Sequence, residues 1–452
     1  MDILDQRRKI EMKVLLINPW VYDFASFDLW AKPLGLLYIA DALKKCGCET
    51  ELIDCLDRNY PGIENKKTDN FGCGKYYKEE VEKPLVLKDV PRKYKRYGIP
   101  LSLFEKALEN KEPDVILITS VMTYWYPGVF KAIEILKKKF PSVPILLGGT
   151  YATLCSEHAK KFSGAEIFAG WDIEKIVGRV FELAGKSKPE KINALKLRPD
   201  YSFYKELDYA VLRTSWGCPF KCSYCAIGKL SDKFVKRSPE DVINEIAFLY
   251  DNKDVMNFAF YDDALLFDFD THLAMILEGI IKKGVKASFH TPNGLHARFI
   301  KKNTADLLRK ANFIEPRLSL ETSDLKRQKI TGSKVFNEEF ETAVKNLFDA
   351  SYKKNEISAY IMMGMPQQDF DEVKNSIKYA SDLGIKVFLV EYSPIPGTED
   401  WQKYKFDFKD PLLHNNSIFP LYGVEDWDRF QELKDLVRRY RVQGTECRVN
   451  KI

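Results

Sequence analysis

The chain has 452 residues, 45% hydrophobic and 30% charged, the make-up of a soluble globular protein with two or three domains. Lys and Arg exceed Asp and Glu by only 70 to 65, with the signs interspersed, so no nucleic-acid footprint is expected. No run approaches ~18 consecutive apolar residues, so no membrane span is expected either.

Nine cysteines, an odd number, argue against a disulfide scaffold and for metal binding or simple burial. Met1 to Lys13 is charged and lacks an apolar signal core, which points to the cytoplasm.

In chain order, Lys13–Pro19 is a short apolar run ended by a turn, as in a buried parallel strand. Pro33–Leu43 opens with proline and carries helical spacing. Thr50–Asp54, Asp114–Thr119 and Val143–Gly149 read as further strands, with a helix from Val129 to Phe140. Alternating strands and helices predict a doubly wound parallel sheet with its ligand at the carboxyl ends of the strands. Residues 57–100 interrupt the pattern, and so long an insertion is more often functional or mobile than structural. Within it, Pro91–Tyr97 is basic with interleaved tyrosines, which reads as an exposed helix or loop face. The polar stretch 186–205 reads as a linker.

A second alternating series follows. Its expected strands are Ala210–Thr214, Met256–Tyr261, Lys286–His290, Arg317–Leu320, Ile357–Met363 and Lys386–Tyr392. Ser238-Pro239-Glu240-Asp241 supplies a helix start, and Gly284 stops a helix beginning at Asp270. Helices over Asn337–Ala350 and Asp371–Leu383 complete the pattern. Six such units predict a partial (β/α)6 barrel with its chemistry at the strand ends. The expected domains are therefore 1–185, a Rossmann-like sheet; 206–400, the barrel; and 401–452, an extension with a helix around Glu425 to Tyr440.

The most informative segment is Cys218-Pro219-Phe220-Lys221-Cys222-Ser223-Tyr224-Cys225, just after the first strand of the second series. Three thiolates at C-x-x-x-C-x-x-C can wrap one iron–sulfur cluster and leave one of its four irons open. A zinc site would want a fourth Cys or His, and the next histidine is His272.

The spacing, with Tyr224 before the last cysteine, resembles the signature of the radical S-adenosylmethionine (radical SAM) superfamily, and the resemblance runs over most of the second half. It implies that the open iron of a 4Fe–4S cluster chelates S-adenosylmethionine, which an external donor such as flavodoxin or ferredoxin then helps to cleave. It further implies that Asp262 and Asp263 contact the amino group, that Glu321 reaches the ribose or methionine part, and that Gly364 lies near adenine. Tyr392–Thr398 resembles a closing motif over the barrel mouth. His290, Asn293, His296 and Arg298 cluster after the third strand and are candidates to face substrate. No residue is assignable as acid or base.

The first half resembles the cobalamin-binding-like domain of a radical SAM subclass, through Pro33-Leu34-Gly35-Leu36, Thr119-Ser120-Val121 and Gly148-Gly149. Ser120, Gly148 and Gly149 would then lie at the corrinoid and its nucleotide tail. The family's Asp-x-His-x-x-Gly loop is here Asn18-Pro19-Trp20-Val21-Tyr22-Asp23, and no histidine precedes His158, so a histidine ligand from that loop is impossible. Some relatives hold cobalamin without a protein ligand to cobalt and others have lost it. Trp20, Tyr124, Trp125 and Tyr126 are candidates for an apolar floor. Cys73, between Gly72 and Gly74, is expected to be flexible enough to approach the cluster or substrate. Cys46 and Cys48 read as small buried or surface residues.

The expected reaction is radical functionalisation of a C–H bond in a small molecule, lipid or peptide, with methyl transfer if cobalamin binds. The rival from another class is a non-catalytic corrinoid or iron–sulfur carrier or sensor.

Overall fold

A computed structural model describes residues 12–64, 68–187, 191–231, 233–421 and 428–443. Cys447, residues 425–427 of the expected C-terminal helix, and most of Met1–Lys13 lie outside these. The chain divides into two compact units. One runs to Asp208 and includes Lys409–Leu412; the other comprises Tyr209–Phe408 and the chain from Leu413.

The first unit contains β1 (Lys13–Asn18), β2 (Val21–Asp23), β3 (Glu49–Asp54), β4 (Lys78–Glu80), β5 (Lys95–Tyr97), β6 (Val115–Ile118), β7 (Ile145–Leu147) and β8 (Glu166–Ile167). Five of these form a parallel sheet in the order β3-β1-β6-β7-β8. Val14 to Ile17 and Val115 to Ile118 are buried without alternation, which is why these strands read as continuous apolar runs. Helix Tyr126–Lys139 adds Val129, Ile133 and Leu136 to the core that contains Leu15, Ile17, Ile116 and Ile118. The winding reverses between β1 and β6, which opens a crevice at their carboxyl ends.

The 57–100 insertion is not a loose loop. With β2 it makes an antiparallel sheet in the order β2-β5-β4. The basic, tyrosine-rich stretch therefore does not form an exposed helix or loop face. Tyr94, Arg96 and Tyr97 are buried, and the hydroxyls of Tyr94 and Tyr97 donate to the carbonyls of Tyr22 and Phe24 at 3.0 and 3.2 Å. Burial here does not follow strand alternation, because Arg96 and the adjacent Tyr97 are both covered while Lys95 is half-buried.

The end of the expected linker is also packed. Tyr201 and Tyr204 are buried, and the Tyr204 hydroxyl donates to Asp54 at 2.7 Å. Asp54 also accepts from Asn18 Nδ2 at 2.6 Å and from the Leu56 amide at 2.9 Å.

The second unit contains β9 (Ala210–Leu212), β10 (Ser215–Trp216), β11 (Val235–Lys236), β12 (Asn257–Phe260), β13 (Ser288–His290), β14 (Leu295–His296), β15 (Arg317–Glu321), β16 (Ser358–Met363) and β17 (Lys386–Glu391). Parallel pairing runs β9-β12-β13 and β14-β15-β16-β17. A parallel bridge from Phe289 to Phe313 links the two sets. The third strand is thus broken into β13 and β14, and six strand positions form an incomplete barrel. Helices Pro239–Lys253, Leu273–Lys282, Asn337–Asp349 and Phe370–Asp382 follow their strands. Stacked phenylalanines join neighbouring strands, Phe258 on Phe289 at 5.7 Å and Phe260 on Phe313 at 5.6 Å.

The Asp54 arrangement yields a stability prediction. Tyr204→Phe removes one of three donors to a buried carboxylate, so urea unfolding of the first unit should lose ~1–3 kcal/mol. An unshifted midpoint would show that the tyrosine does not hold the linker down.

Candidate active site

The cysteine loop is built from a latch outward. Asp262, buried at the end of β12, accepts the Thr214 amide at 3.1 and 3.0 Å, the Thr214 hydroxyl at 2.7 Å and the Ser215 hydroxyl at 2.6 Å. His272 Nε2 lies 3.1 Å from the same Thr214 hydroxyl. The chain then pairs briefly as β10 with β11 and turns at Gly217. With φ +79 and the Lys233 carbonyl 2.4 Å from where a Cβ would sit, only glycine serves there.

Beyond it, the Cys225 amide donates to the Cys222 carbonyl at 3.0 Å and the Ser223 amide to the Thr331 carbonyl at 3.3 Å. Phe220 wedges the loop against His296 at 4.8 Å and against Phe267 and Phe299 at 5.9 Å each.

Cys218, Cys222 and Cys225 are free thiols. Burial pushes Cys218 up to about 11 and raises the other two, and Cys218 feels the charges of both Cys225 and Cys222. Cys225 is exposed to water and yet crowded by protein, the situation of a group in an open concavity. Lys334 and Arg298 lie close enough to Cys222 to favour its thiolate, and Lys334 does the same for Cys225. Three thiols, two of them beside cations, are the donor chemistry of an anionic thiolate-bound cluster. Among the described residues, no three His, Cys, Asp or Glu side chains are gathered to hold a single metal ion.

The paired acids have separate fates. Asp262 is committed to the latch. Asp263 keeps Oδ2 buried without a hydrogen-bond partner, with Arg213 Nη1 3.5 Å away. Burial pushes Asp263 up to about 6, against the pull of Arg213 and with a push from Asp262. It is also near enough to raise Cys218 and Cys225.

Glu321 stands at φ +67, past a bulge in β15, and its carboxylate meets Lys334 Nζ at 3.0 Å. The Tyr224 hydroxyl is buried beside Glu321 and faces the Cys222 thiol. Sequence reasoning missed Lys334 and Arg213, because a single basic residue in a loop carries no pattern.

Gly364 has φ +81, and a Cβ there would come within 2.4 Å of Pro420, so the strand-to-helix turn itself requires glycine. The group after β13 is largely committed to the fold. His290 bonds Asn257 at 3.0 Å, and Asn293 donates to the Tyr261 carbonyl at 3.1 Å. Arg298 holds the Ser333 carbonyl and, at 3.3 Å, Glu339. Burial pulls His290 and His296 down to about 3, so both rings are neutral at physiological pH.

In the first unit, a crevice of about 270 Å³, its open mouth included, is lined by Asn18, Leu56, Thr119, Ser120, Met122 and Trp125 among others. The Ser120 hydroxyl donates to the Gly148 carbonyl at 2.7 Å. Gly149, at φ +92, would place a Cβ 2.3 Å from the Ser120 carbonyl, whereas Gly148 has nothing closer than the Phe168 carbonyl at 3.9 Å. Gly149 thus serves the sheet, and Gly148 offers an open backbone.

Of the four aromatic candidates, Trp20 borders the crevice from within the core. It is 1% exposed, donates Nε1 to the Ile99 carbonyl at 2.6 Å and packs on Phe104. Tyr124 is buried, and the Tyr126 hydroxyl donates to Asp410. Trp125 reaches the crevice with its indole nitrogen fixed to Asp23 at 2.7 Å. Cys73 is not on a flexible arm. It is wholly buried, its amide is tied to Asp69 at 2.9 Å, and burial pushes its thiol up to about 12, which leaves no thiolate for chemistry.

Residues 213–380 match the model of the Radical SAM superfamily. The match spans the cysteine loop and most of the incomplete barrel, so this region of the chain is a radical SAM domain. The cofactors of this class are a 4Fe–4S cluster and S-adenosylmethionine. No curated protein matches the sequence.

Among solved structures, the fold is similar to that of a radical S-adenosylmethionine methyltransferase, TsrM from Kitasatospora setae, solved with tryptophan and a SAM analogue. Identity is 12%, coverage 86% of this chain and 75% of that one, and the TM-score 0.62. It is also similar to the cobalamin-dependent radical enzyme OxsB with aqua-cobalamin and S-adenosylmethionine bound, at 13% identity and TM-score 0.57. That match covers 95% of this chain and 56% of the other. These likenesses establish a Rossmann-like unit joined to a partial barrel.

The raised Asp263 gives a signed prediction. A carboxyl whose folded value is lifted to about 6 adds stability below the unfolded range, near 4, and loses it as pH rises through 6. Without S-adenosylmethionine, Asp263→Asn should be more stable than the parent at pH 7, on the order of 2 kcal/mol, with the gap closing by pH 4. Denaturation midpoints that differ equally at both pH values would overturn this account of Asp263.

Proposed function

We propose that Cys218, Cys222 and Cys225 ligate three irons of one 4Fe–4S cluster and leave the fourth iron to S-adenosylmethionine. The observation that carries this reading is a buried carboxylate oxygen without a hydrogen-bond partner, on Asp263, beside three converging thiols. When bound, the cluster supplies one electron for reductive cleavage of the sulfonium, which yields a 5′-deoxyadenosyl radical that takes hydrogen from a C–H bond.

The protein's own groups bind and orient. Asp263 accepts from the ammonium of S-adenosylmethionine, and Asp262 holds the loop that places it. Tyr224 and Glu321 face the methionine or ribose part, and the turn at Gly364 lies by the adenine. An external low-potential carrier such as flavodoxin or ferredoxin delivers the electron. The substrate is a small molecule, lipid or peptide. Free thiols throughout the described residues suit a reducing cytoplasm.

For the first unit, residues 1–185 with the linker 186–205, we propose a cobalamin at the β1/β6 crevice. Gly148 would admit the nucleotide tail, with Ser120 beside it and Gly149 shaping the turn. Two features fit the group: the open backbone at Gly148 and the exposed apolar side chains of Val121 and Met122 at 48% and 39%. His158 is not among the residues lining the crevice. Its Nδ1 lies 2.7 Å from the Tyr151 hydroxyl, so histidine ligation to cobalt is not available from it. Methyl transfer is then the leading reaction. The carrier or sensor alternative has no observation in its favour.

Two experiments test this. Anaerobically reconstituted protein should hold about four irons, mostly lost in Cys218→Ala, Cys222→Ala or Cys225→Ala and kept in Cys46→Ala. Equal loss in all four would sink the assignment. For the crevice, Gly148→Trp should abolish cobalt retention after desalting with iron content unchanged, and the parent's cobalt(II) signal should lack axial nitrogen splitting. Splitting from a protein histidine, or full cobalt retention in the variant, would show the corrinoid site to be elsewhere.

A further inference from the structure

The electron must enter from outside, and the back of the cysteine loop shows where. Three segments converge there. Helix Leu325–Ile330 runs into Thr331, whose carbonyl holds the Ser223 amide. Gly332 lies so close to the loop that a Cβ would meet the Lys221 carbonyl at 2.7 Å and Cys222 Cα at 3.1 Å. The amide of Asp400, in helix Glu399–Lys403, donates to the Ser223 carbonyl at 2.9 Å. The short helix Ile227–Leu230 follows Cys225, and its Lys229 chain packs 3.7 Å from the Cβ position of Gly397. A shallow cleft among these segments is lined by Ser223, Ile330, Thr331, Lys403 and Tyr404, so protein surface and cluster loop are separated there by little more than one backbone.

The charge of this face is one-sided. Lys221, Lys229, Lys326, Lys329, Lys403 and Lys405 are all exposed, and none makes an ion pair among the described residues. The exposed acids nearby are Glu399, Asp407 and Asp324, and the last caps its own helix through the Arg327 amide at 2.7 Å. Amid the lysines, Leu325 and Ile330 expose 54% and 43% of their surface. An apolar centre ringed by unpaired cations is the make-up of a transient protein-docking face, and its charge selects an acidic partner and speeds the encounter.

We propose that this face is the docking surface for an acidic one-electron carrier protein of the flavodoxin type, which passes its electron through the Ser223–Thr331 contact to the cluster. The proposal rests on the reading that Cys218, Cys222 and Cys225 hold the cluster. In the transfer, the carrier's reduced flavin loses one electron and the cluster gains it.

The test uses the full-length, iron-loaded enzyme and two reductants: a reduced bacterial flavodoxin, and photoreduced deazariboflavin, a small donor that needs no docking. Lys326→Glu/Lys329→Glu/Lys403→Glu should slow cluster reduction by flavodoxin at least tenfold at low ionic strength. Its reduction by deazariboflavin should stay within twofold of the parent and its iron content should be unchanged. The parent's flavodoxin rate should fall with added salt, and the charge-matched Lys282→Glu/Lys302→Glu/Lys310→Glu should behave like the parent. A parental flavodoxin rate in the first variant, or equal slowing in the second, would overturn the docking surface. Failure of the parent itself to bind iron would overturn the cluster assignment beneath it.

Discussion

A single buried carboxylate organises the catalytic half of the molecule. Asp262 collects one amide and two hydroxyls from consecutive residues, Thr214 and Ser215, and so pins the start of the cysteine loop to the end of β12. Charge-assisted bonds to a buried acceptor are strong, and removing the acceptor would strand three donors at once. Because successive residues at a strand end point to opposite sides, fixing Asp262 inward delivers Asp263 toward Cys218 and Cys225. The Asp-Asp pair is therefore one structural acid and one acid beside the thiols. Its sequence, read alone, assigned both to the same role.

The legible parts of the fold were those in which local pattern and tertiary environment agree. Strands buried on both faces carry continuous apolar runs, so β1, β6 and β7 were readable from the sequence, as were the six strand positions of the barrel. The β2-β5-β4 sheet was not, because a strand such as Lys95-Arg96-Tyr97 has no apolar alternation. Its inner face is made of tyrosines and an arginine whose polar tips find backbone carbonyls and Glu79. Cys73 reads as mobile between two glycines. Gly72 in fact serves close packing: a Cβ there would lie 2.8 Å from Asp208, and Arg58, itself paired to Asp28, holds the Gly72 carbonyl.

In the first unit the strand order, more than any side chain, sets where a ligand can sit. The reversal between β1 and β6 leaves their carboxyl ends without a crossing helix above them. Asn18 and Thr119 to Met122 line the space that results. The glycine pair after β7 divides as the acid pair does: Gly149 has no room for a side chain, and Gly148 has room on its open side. Glycine pairs in loops read identically from sequence, and only the neighbouring Ser120 backbone tells them apart.

The segment from Leu325 to Lys334 shows how one helix and its exit loop serve both sides of the cluster. Arg327 faces inward and is clamped by Glu372 at 2.6 Å and by the carbonyls of Pro366 and Gln367 at 3.2 and 2.8 Å. Helical spacing then leaves Lys326, Lys329 and Ile330 to face out. Four residues further on, the chain has crossed behind Cys222, and Lys334 meets Glu321 inside the site. A positive side chain close to thiolates favours the more negative, reduced state of the centre they would hold, and the backward strain at Glu321, φ +67, keeps its carboxylate on that lysine. The same clamp that presents lysines to solvent thus leads into the loop that fixes a cation beside the thiols.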